Sequence, residues 1–143
     1  MTRLRAELQA QSTPIALPEL VVVPTHADIF MFSAVTWNRH HVHYSKDAAL
    51  EEGLPDVVVQ RAMLGDYLAR SVSDWAGDEA EIREITWKVL RSATPGMRLR
   101  CQGAATDVSG TSISCDLRIV RDDDELISSG TARLELAETI ERR

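Results

Sequence analysis

Three of the chain's four histidines, His40, His41 and His43, fall within four residues, and Asn38 stands five places before the last of them. Trp37, Val42 and Tyr44 flank the group, so the stretch is both polar and aromatic. Imidazole is the side chain whose ordinary pKa lets it take and return protons near neutral pH. Such a cluster has three uses: it binds a metal, it packs, or at least one ring does acid–base work. A metal would want further Asp, Glu, Cys or His ligands at useful spacings, and none is evident nearby. Acid–base use is the expectation, with packing kept beside it. Asn38 also has two readings. Its amide cannot donate and recover a proton, but it can orient a water, or it can shape the loop by bonding its own backbone.

These residues need a frame to hold them. Residues 24–28 spell a helix start, with Thr25 as N-cap and Asp28 three places on to complete a capping box. That helix carries Ile29, Phe32 and Ser33 toward a core and ends near Val35 or Thr36. Residues 37–44 show no clear period and read as a loop. Ser45 caps a short helix over 46–52, which Gly53 and Pro55 stop. From about 60 to 75, Met63, Leu64, Tyr67, Leu68, Val72 and Trp75 recur at three- and four-residue spacings. This is the longest amphipathic helix in the chain.

After Gly77 the period changes to two. Residues 82–90 mix β-branched and aromatic types. Met97, Leu99, Cys101, Gly103 and Ala105 then alternate with polar neighbours, as do Ile113, Cys115, Leu117 and Ile119. A charged turn at 122–124 leads to a last strand over 125–136, and residues 20–23 fit a short strand or a packed extended segment. Such alternation marks antiparallel strands with one buried face. Helices first and strands afterwards predict an α+β fold, a long central helix wrapped by a curved antiparallel sheet. Residues 1–18 are charged and polar, then Pro-containing, and read as an extended or flexible arm.

The run Phe32-Ser33-Ala34-Val35-Thr36-Trp37-Asn38-Arg39-His40-His41-Val42-His43-Tyr44, followed by Ala48 or Ala49 and by Gly53, resembles the hydratase motif of MaoC-like hotdog enzymes. Within them it is similar to the branch called hydroxyacyl-thioester dehydratase type 2. The likeness covers roughly residues 20–75 by motif, while the later strands agree in pattern alone. It implies a single hotdog domain over 19–143. The implied reaction is reversible addition of water to a 2-enoyl thioester of coenzyme A or acyl carrier protein, giving a 3-hydroxyacyl thioester. In the commoner motif an Asp precedes a His by five residues; the matching positions are Asn38 and His43, and the type 2 branch also shows Asn there. The resemblance thus makes His43 the base for water, or the acid in reverse, with Asn38 beside it.

A second departure lies at the start of the central helix, where the family often has His-Gly and this chain has Gln60-Arg61. In the family a backbone N–H there, aided by the helix dipole, polarises the thioester carbonyl. An N–H survives substitution by Arg61, although Gly permits closer approach. Gln60, Arg61 and Ala62 are the expected substrate-binding positions. Hotdog domains generally pair with the acyl tunnel between subunits, which implies a homodimer or a heterodimer with a second hotdog chain. Two alternatives stay open. One is a non-catalytic subunit that completes a partner's tunnel, and the other is a thioesterase using Asp66, which also reads as a solvated helix position.

The totals exclude other classes. At 143 residues the chain is one domain with a sizeable core. A net charge of −6 without a Lys/Arg cluster argues against nucleic acid as the main partner. No stretch approaches the roughly 20 apolar residues of a membrane helix. The N-terminal residues lack the apolar core of a signal peptide, which makes the cytoplasm the expected compartment. Cys101 and Cys115 fall in strand-like segments and read as small buried hydrophobes, a disulfide between them being the lesser expectation. No glycine-rich phosphate loop is present, and the resemblance calls for no metal and no cofactor besides the acyl thioester substrate.

Overall fold

The computed structural model describes residues 2–138. Its elements in chain order are α1 (Arg3–Ala10), β1 (Ile15–Ala16), β2 (Leu20–Val22), α2 (His26–Thr36), α3 (Lys46–Glu51), α4 (Arg61–Ala76), β3 (Ala80–Val89), β4 (Leu99–Ser109), β5 (Ser112–Arg121) and β6 (Leu126–Leu136). Short 3-10 turns stand at His41–His43 and Gly77–Glu79. All six strands join one antiparallel sheet in the order β1-β4-β5-β6-β3, with β2 also paired to β4. The α+β architecture expected above is the one observed.

The two periods meet in one core. On α4, Met63, Leu64, Tyr67, Leu68, Val72 and Trp75 are buried, the face the three- and four-residue spacing marks out. Against them the strands set Leu99, Cys101 and Ala105, then Ile113, Cys115, Leu117 and Ile119, then Ala132, Leu134 and Leu136. Each set is spaced by two along its strand, with Gly103 holding the place between Cys101 and Ala105, and a register shift interrupts the β4 ladder beyond Ala105. Both cysteines are free thiols in this core. Burial pushes each up to about 12, so neither is a ready nucleophile.

Two glycines, Gly65 on α4 and Gly130 on β6, allow close approach to β3 around Trp87. A Cβ on Gly65 would lie 2.3 Å from the Trp87 ring, and one on Gly130 would lie 2.1 Å from the Thr86 carbonyl and 3.0 Å from Trp87 Cβ. Trp87 occupies the room these two residues leave.

The N-terminal segment departs from the expectation of a loose arm over 1–18. Arg3–Ala10 is a helix docked on the C-terminal end of α4, with Leu4 fully buried. Thr2 gives no side-chain cap to α1. The Leu4 N–H instead donates to Glu79 Oε2 at 2.6 Å, which places a carboxylate at the positive end of the helix. Arg3 donates to the Trp75 carbonyl, where the last carbonyls of α4 favour a cation, and Trp75 Nε1 donates to Glu7 Oε1 at 3.3 Å. Composition hid this because every partner lies about seventy residues away. Leu4→Ala is expected to cost about 2–5 kcal/mol in denaturant unfolding, the range for a truncated core aliphatic. A loosely held arm would leave the midpoint unchanged.

Candidate functional site

The site begins with the way α2 starts and stops. Thr25 Oγ1 accepts from the Asp28 N–H at 3.1 Å, and Asp28 Oδ2 accepts from the Thr25 N–H at 2.9 Å. The capping box read from the sequence is therefore complete, and its hydrogen bonds hold the Asp28 carboxyl below its ordinary pKa. At the other end Trp37 takes a left-handed conformation, φ 56°, while the Asn38 N–H closes on the Ser33 carbonyl at 2.9 Å. Left-handed backbone costs a bulky L-residue roughly 1–2 kcal/mol, yet the Trp37 side chain stays 74% exposed. This reversal turns the chain out of the helix and into the histidine loop.

The loop is tied to itself and to one other segment. Hydrogen bonds from His43 N to His40 O, Tyr44 N to His41 O and Ser45 N to His41 O wind it into a tight 3-10 turn. Tyr44 Oη donates to the Arg39 carbonyl at 2.8 Å. Across from it run Val57, Val58, Val59 and Gln60, all buried. The Val58 N–H donates to the Val42 carbonyl at 3.1 Å, and the Val58 carbonyl accepts from His43 Nδ1 at 2.7 Å. One residue thus holds both the loop's backbone and its ring.

That second bond decides what His43 can do. A carbonyl oxygen only accepts, so Nδ1 carries a hydrogen and, in the neutral ring, Nε2 keeps its lone pair. His43 is 9% exposed. Burial lowers its pKa below 6.5; the Val58 carbonyl opposes this by favouring the charged ring, and the neighbouring His40 adds a smaller lowering. The His40 ring stands 5.7 Å from that of His43, nearly perpendicular, and its Nε2 lies 3.2 Å from Glu52 Oε1. His41 is exposed and stacks edge-on with Tyr44. Of the three histidines, only His43 is buried. Among the described residues no three His, Cys, Asp or Glu side chains gather into a metal cage.

Asn38 is half-buried, and its Oδ1 accepts from the His40 N–H at 3.2 Å. The amide therefore shapes the loop, as one of its two readings held. Its NH2 group has no hydrogen-bond partner among the described residues. Asn38 also lines an open cleft of about 160 Å³ whose walls include Phe30, Ala34, Trp37, Arg39 and Tyr44.

The remaining expected positions sit at the start of α4. Gln60 is the N-cap residue, yet it supplies no side-chain cap. Its Nε2 instead donates to the Ile29 carbonyl at 2.7 Å and Ser33 Oγ at 2.8 Å, which fastens α4 to α2. Gln60 Oε1 is buried with no partner among the described residues. The Arg61 guanidinium lies over the Trp87 ring, 5.2 Å from its centre, and donates to the Trp87 carbonyl at 3.0 Å. Both side chains are thus committed to the protein. What Gln60, Arg61 and Ala62 offer outward is backbone, since the first N–H groups of a helix have no partner within it. Sequence reading placed Ser33 toward the core but gave no site role to it, to Val58 or to Trp87. The signal in the sequence for a packed segment there is the run of three valines, Val57 to Val59, just before the helix.

Comparison with known proteins follows the same lines. A family profile described as hydroxyacyl-thioester dehydratase type 2 matches residues 3–95. Over 63 residues the chain is 38% identical to the mesaconyl-C(4)-CoA hydratase of Chloroflexus aurantiacus; the match covers 39% of this chain but only 22% of that protein. Among solved structures, the ChsH1–ChsH2 complex from Mycobacterium tuberculosis is similar with a TM-score of 0.83 and 22% identity, over 89% of this chain and 99% of that one. An (R)-hydratase from A. caviae, involved in PHA biosynthesis, is similar with a TM-score of 0.83 and 14% identity, over 90% and 99%. At these identities the two structures establish the shared fold. With the profile matching residues 3–95 of the 143 and the helix-and-sheet arrangement in place, the chain belongs to the hydroxyacyl-thioester dehydratase type 2 family of MaoC-like hotdog proteins.

Proposed function

We propose that the chain interconverts 2-enoyl and 3-hydroxyacyl thioesters, carried on coenzyme A or acyl carrier protein, with His43 as the acid–base group. The observation that carries this reading is the bond from His43 Nδ1 to the Val58 carbonyl. It leaves the neutral ring with Nε2 as a base, and burial keeps that ring neutral at pH 7.

In the hydration direction His43 Nε2 takes a proton from water as the water oxygen bonds to C3. The electron pair of the C2–C3 double bond moves onto the thioester oxygen. The enolate then collapses and takes a proton at C2 from the same Nε2, so one water is added and His43 returns to its starting state. Asn38 donates its free N–H to the attacking water. The N–H groups at the start of α4, at Arg61 and Ala62, receive the charge that grows on the thioester oxygen, helped by the helix dipole.

One observation favours a second reading. Asn38 already spends its oxygen on the loop, and a chain without a fully free Asn38 suits the silent member of a pair. Strand β3 stands at the end of the sheet with β6 as its one neighbour, an edge at which a second hotdog chain, identical or different, would dock. Asp66 is exposed on α4, which suits the solvated reading better than a thioesterase carboxylate. No helix among the described residues is long and apolar enough to cross a membrane.

Purified chain mixed with crotonyl-CoA is expected to bleach the conjugated enoyl-thioester absorbance without releasing free thiol. His43→Ala should slow this by about 10²–10⁴-fold, the usual range for general acid–base catalysis. Activity only with a co-expressed partner would establish the silent-subunit reading instead, and thiol release would establish a thioesterase.

The pH dependence has a definite sign. Because the folded pKa of His43 lies below 6.5, the base form persists at pH 6.5, and the acid limb of kcat/KM should fall below that value. The same shift makes the unfolded chain bind the proton first. Stability from this group is therefore present above pH 6.5 and is lost as pH falls toward the folded pKa. An acid limb centred above 6.5 would contradict the assignment.

A further inference from the structure

We propose that Trp87 and the Arg61 side chain form a clamp that aims the Ala62 N–H, making both of them positioning residues for the thioester oxygen. The proposal rests on the hydratase reading above and concerns the place where this chain carries arginine.

The clamp is reciprocal. Trp87 Nε1 donates to the Arg61 carbonyl at 2.9 Å, and the Arg61 guanidinium donates back to the Trp87 carbonyl at 3.0 Å while covering the indole face. The Arg61 carbonyl belongs to the same planar peptide unit as the Ala62 N–H. In a trans peptide the two point in opposite directions. An indole that fixes the carbonyl therefore also fixes the direction of the N–H, outward from the start of α4. Neither residue need touch substrate for this to matter.

The surroundings are built to seat the indole. Gly65, one turn along α4, lies under the ring so closely that a Cβ would sit 2.3 Å from it, and Gly130 on β6 leaves room beside the Trp87 backbone and Cβ. Gln60 adds a second brace, tying the N-cap to α2 through Ile29 and Ser33. First turns of helices fray readily, since their N–H groups have no partner in the helix. Here the first turn is held from α2 at residue 60 and from β3 at residue 61. The arginine side chain, which could otherwise fall across the free N–H groups, is strapped onto the sheet.

Trp87→Phe keeps a ring in the glycine notch and removes the indole donor alone. Arg61→Ala keeps the backbone and removes the strap. Each is expected to lower kcat for crotonyl-CoA hydration by about tenfold or more, the scale of a misplaced group. KM should stay within about twofold, because the interaction belongs to the transition state. The double variant should cost no more than the worse single one, since both act through one peptide. Backbone ¹⁵N relaxation supplies a readout independent of activity. The Ala62 amide order parameter should be about 0.85 in the parent and fall toward about 0.6 in both variants. An amide that stays rigid in Trp87→Phe would overturn the clamp, as would effects on kcat that multiply. A parent chain without hydratase activity would sink the reading of the reaction, while the relaxation data would still decide the clamp.

Discussion

Four consecutive residues, Val57 to Gln60, carry the arrangement on which the candidate site depends. All four are buried, and their polar groups are used to fasten other parts of the chain. Val58 bonds the histidine loop through both its N–H and its carbonyl, Val59 donates to the Ala93 carbonyl, and Gln60 reaches across to α2. A buried backbone must satisfy its hydrogen bonds somewhere. Here the backbone joins the histidine loop and the β3–β4 connection to the start of α4, and the Gln60 side chain adds the tie to Ile29 and Ser33 of α2. The imidazole proposed as the acid–base group and the helix start proposed to face the thioester oxygen are thereby held by the same short segment.

This arrangement gives up some stability. The N-cap position of α4 holds a residue that does not cap, where a good cap would contribute roughly 0.5–2 kcal/mol. Gln60 Oε1 has no partner among the described residues, a cost of about 1–3 kcal/mol for a buried polar atom. In return the first N–H groups of α4 remain free and the amide side chain acts as a strut. Burial of His43 works in the same direction, since it disfavours the imidazolium more than the Val58 carbonyl favours it.

What could be read from the sequence was whatever a few neighbouring residues decide. The capping box needs only Thr25 and Asp28, three apart, and the face of α4 needs only its own spacing. Alternation on β4 and β5 announced the sheet, and the motif around His43 drew attention to the one buried histidine of the cluster. What stayed hidden joins distant residues. Leu4 is capped by Glu79, and nothing within the first ten residues signals that. Arg61 looked like a loss of the family glycine, because its tie to Trp87 crosses 26 positions. The Val58 carbonyl has no side-chain signature at all, yet it sets the tautomer of His43.

The tautomer is the point on which the chemistry turns. Long-range ¹H–¹⁵N correlation of the His43 ring, recorded above pH 6.5, reads it directly. A protonated Nδ1 beside a bare Nε2 is the pattern this account requires, since only then does the ring face water as a base. A ring with its hydrogen on Nε2 and a bare Nδ1 would contradict it, because the Val58 bond could not exist and the lone pair would face the Val58 carbonyl instead of water.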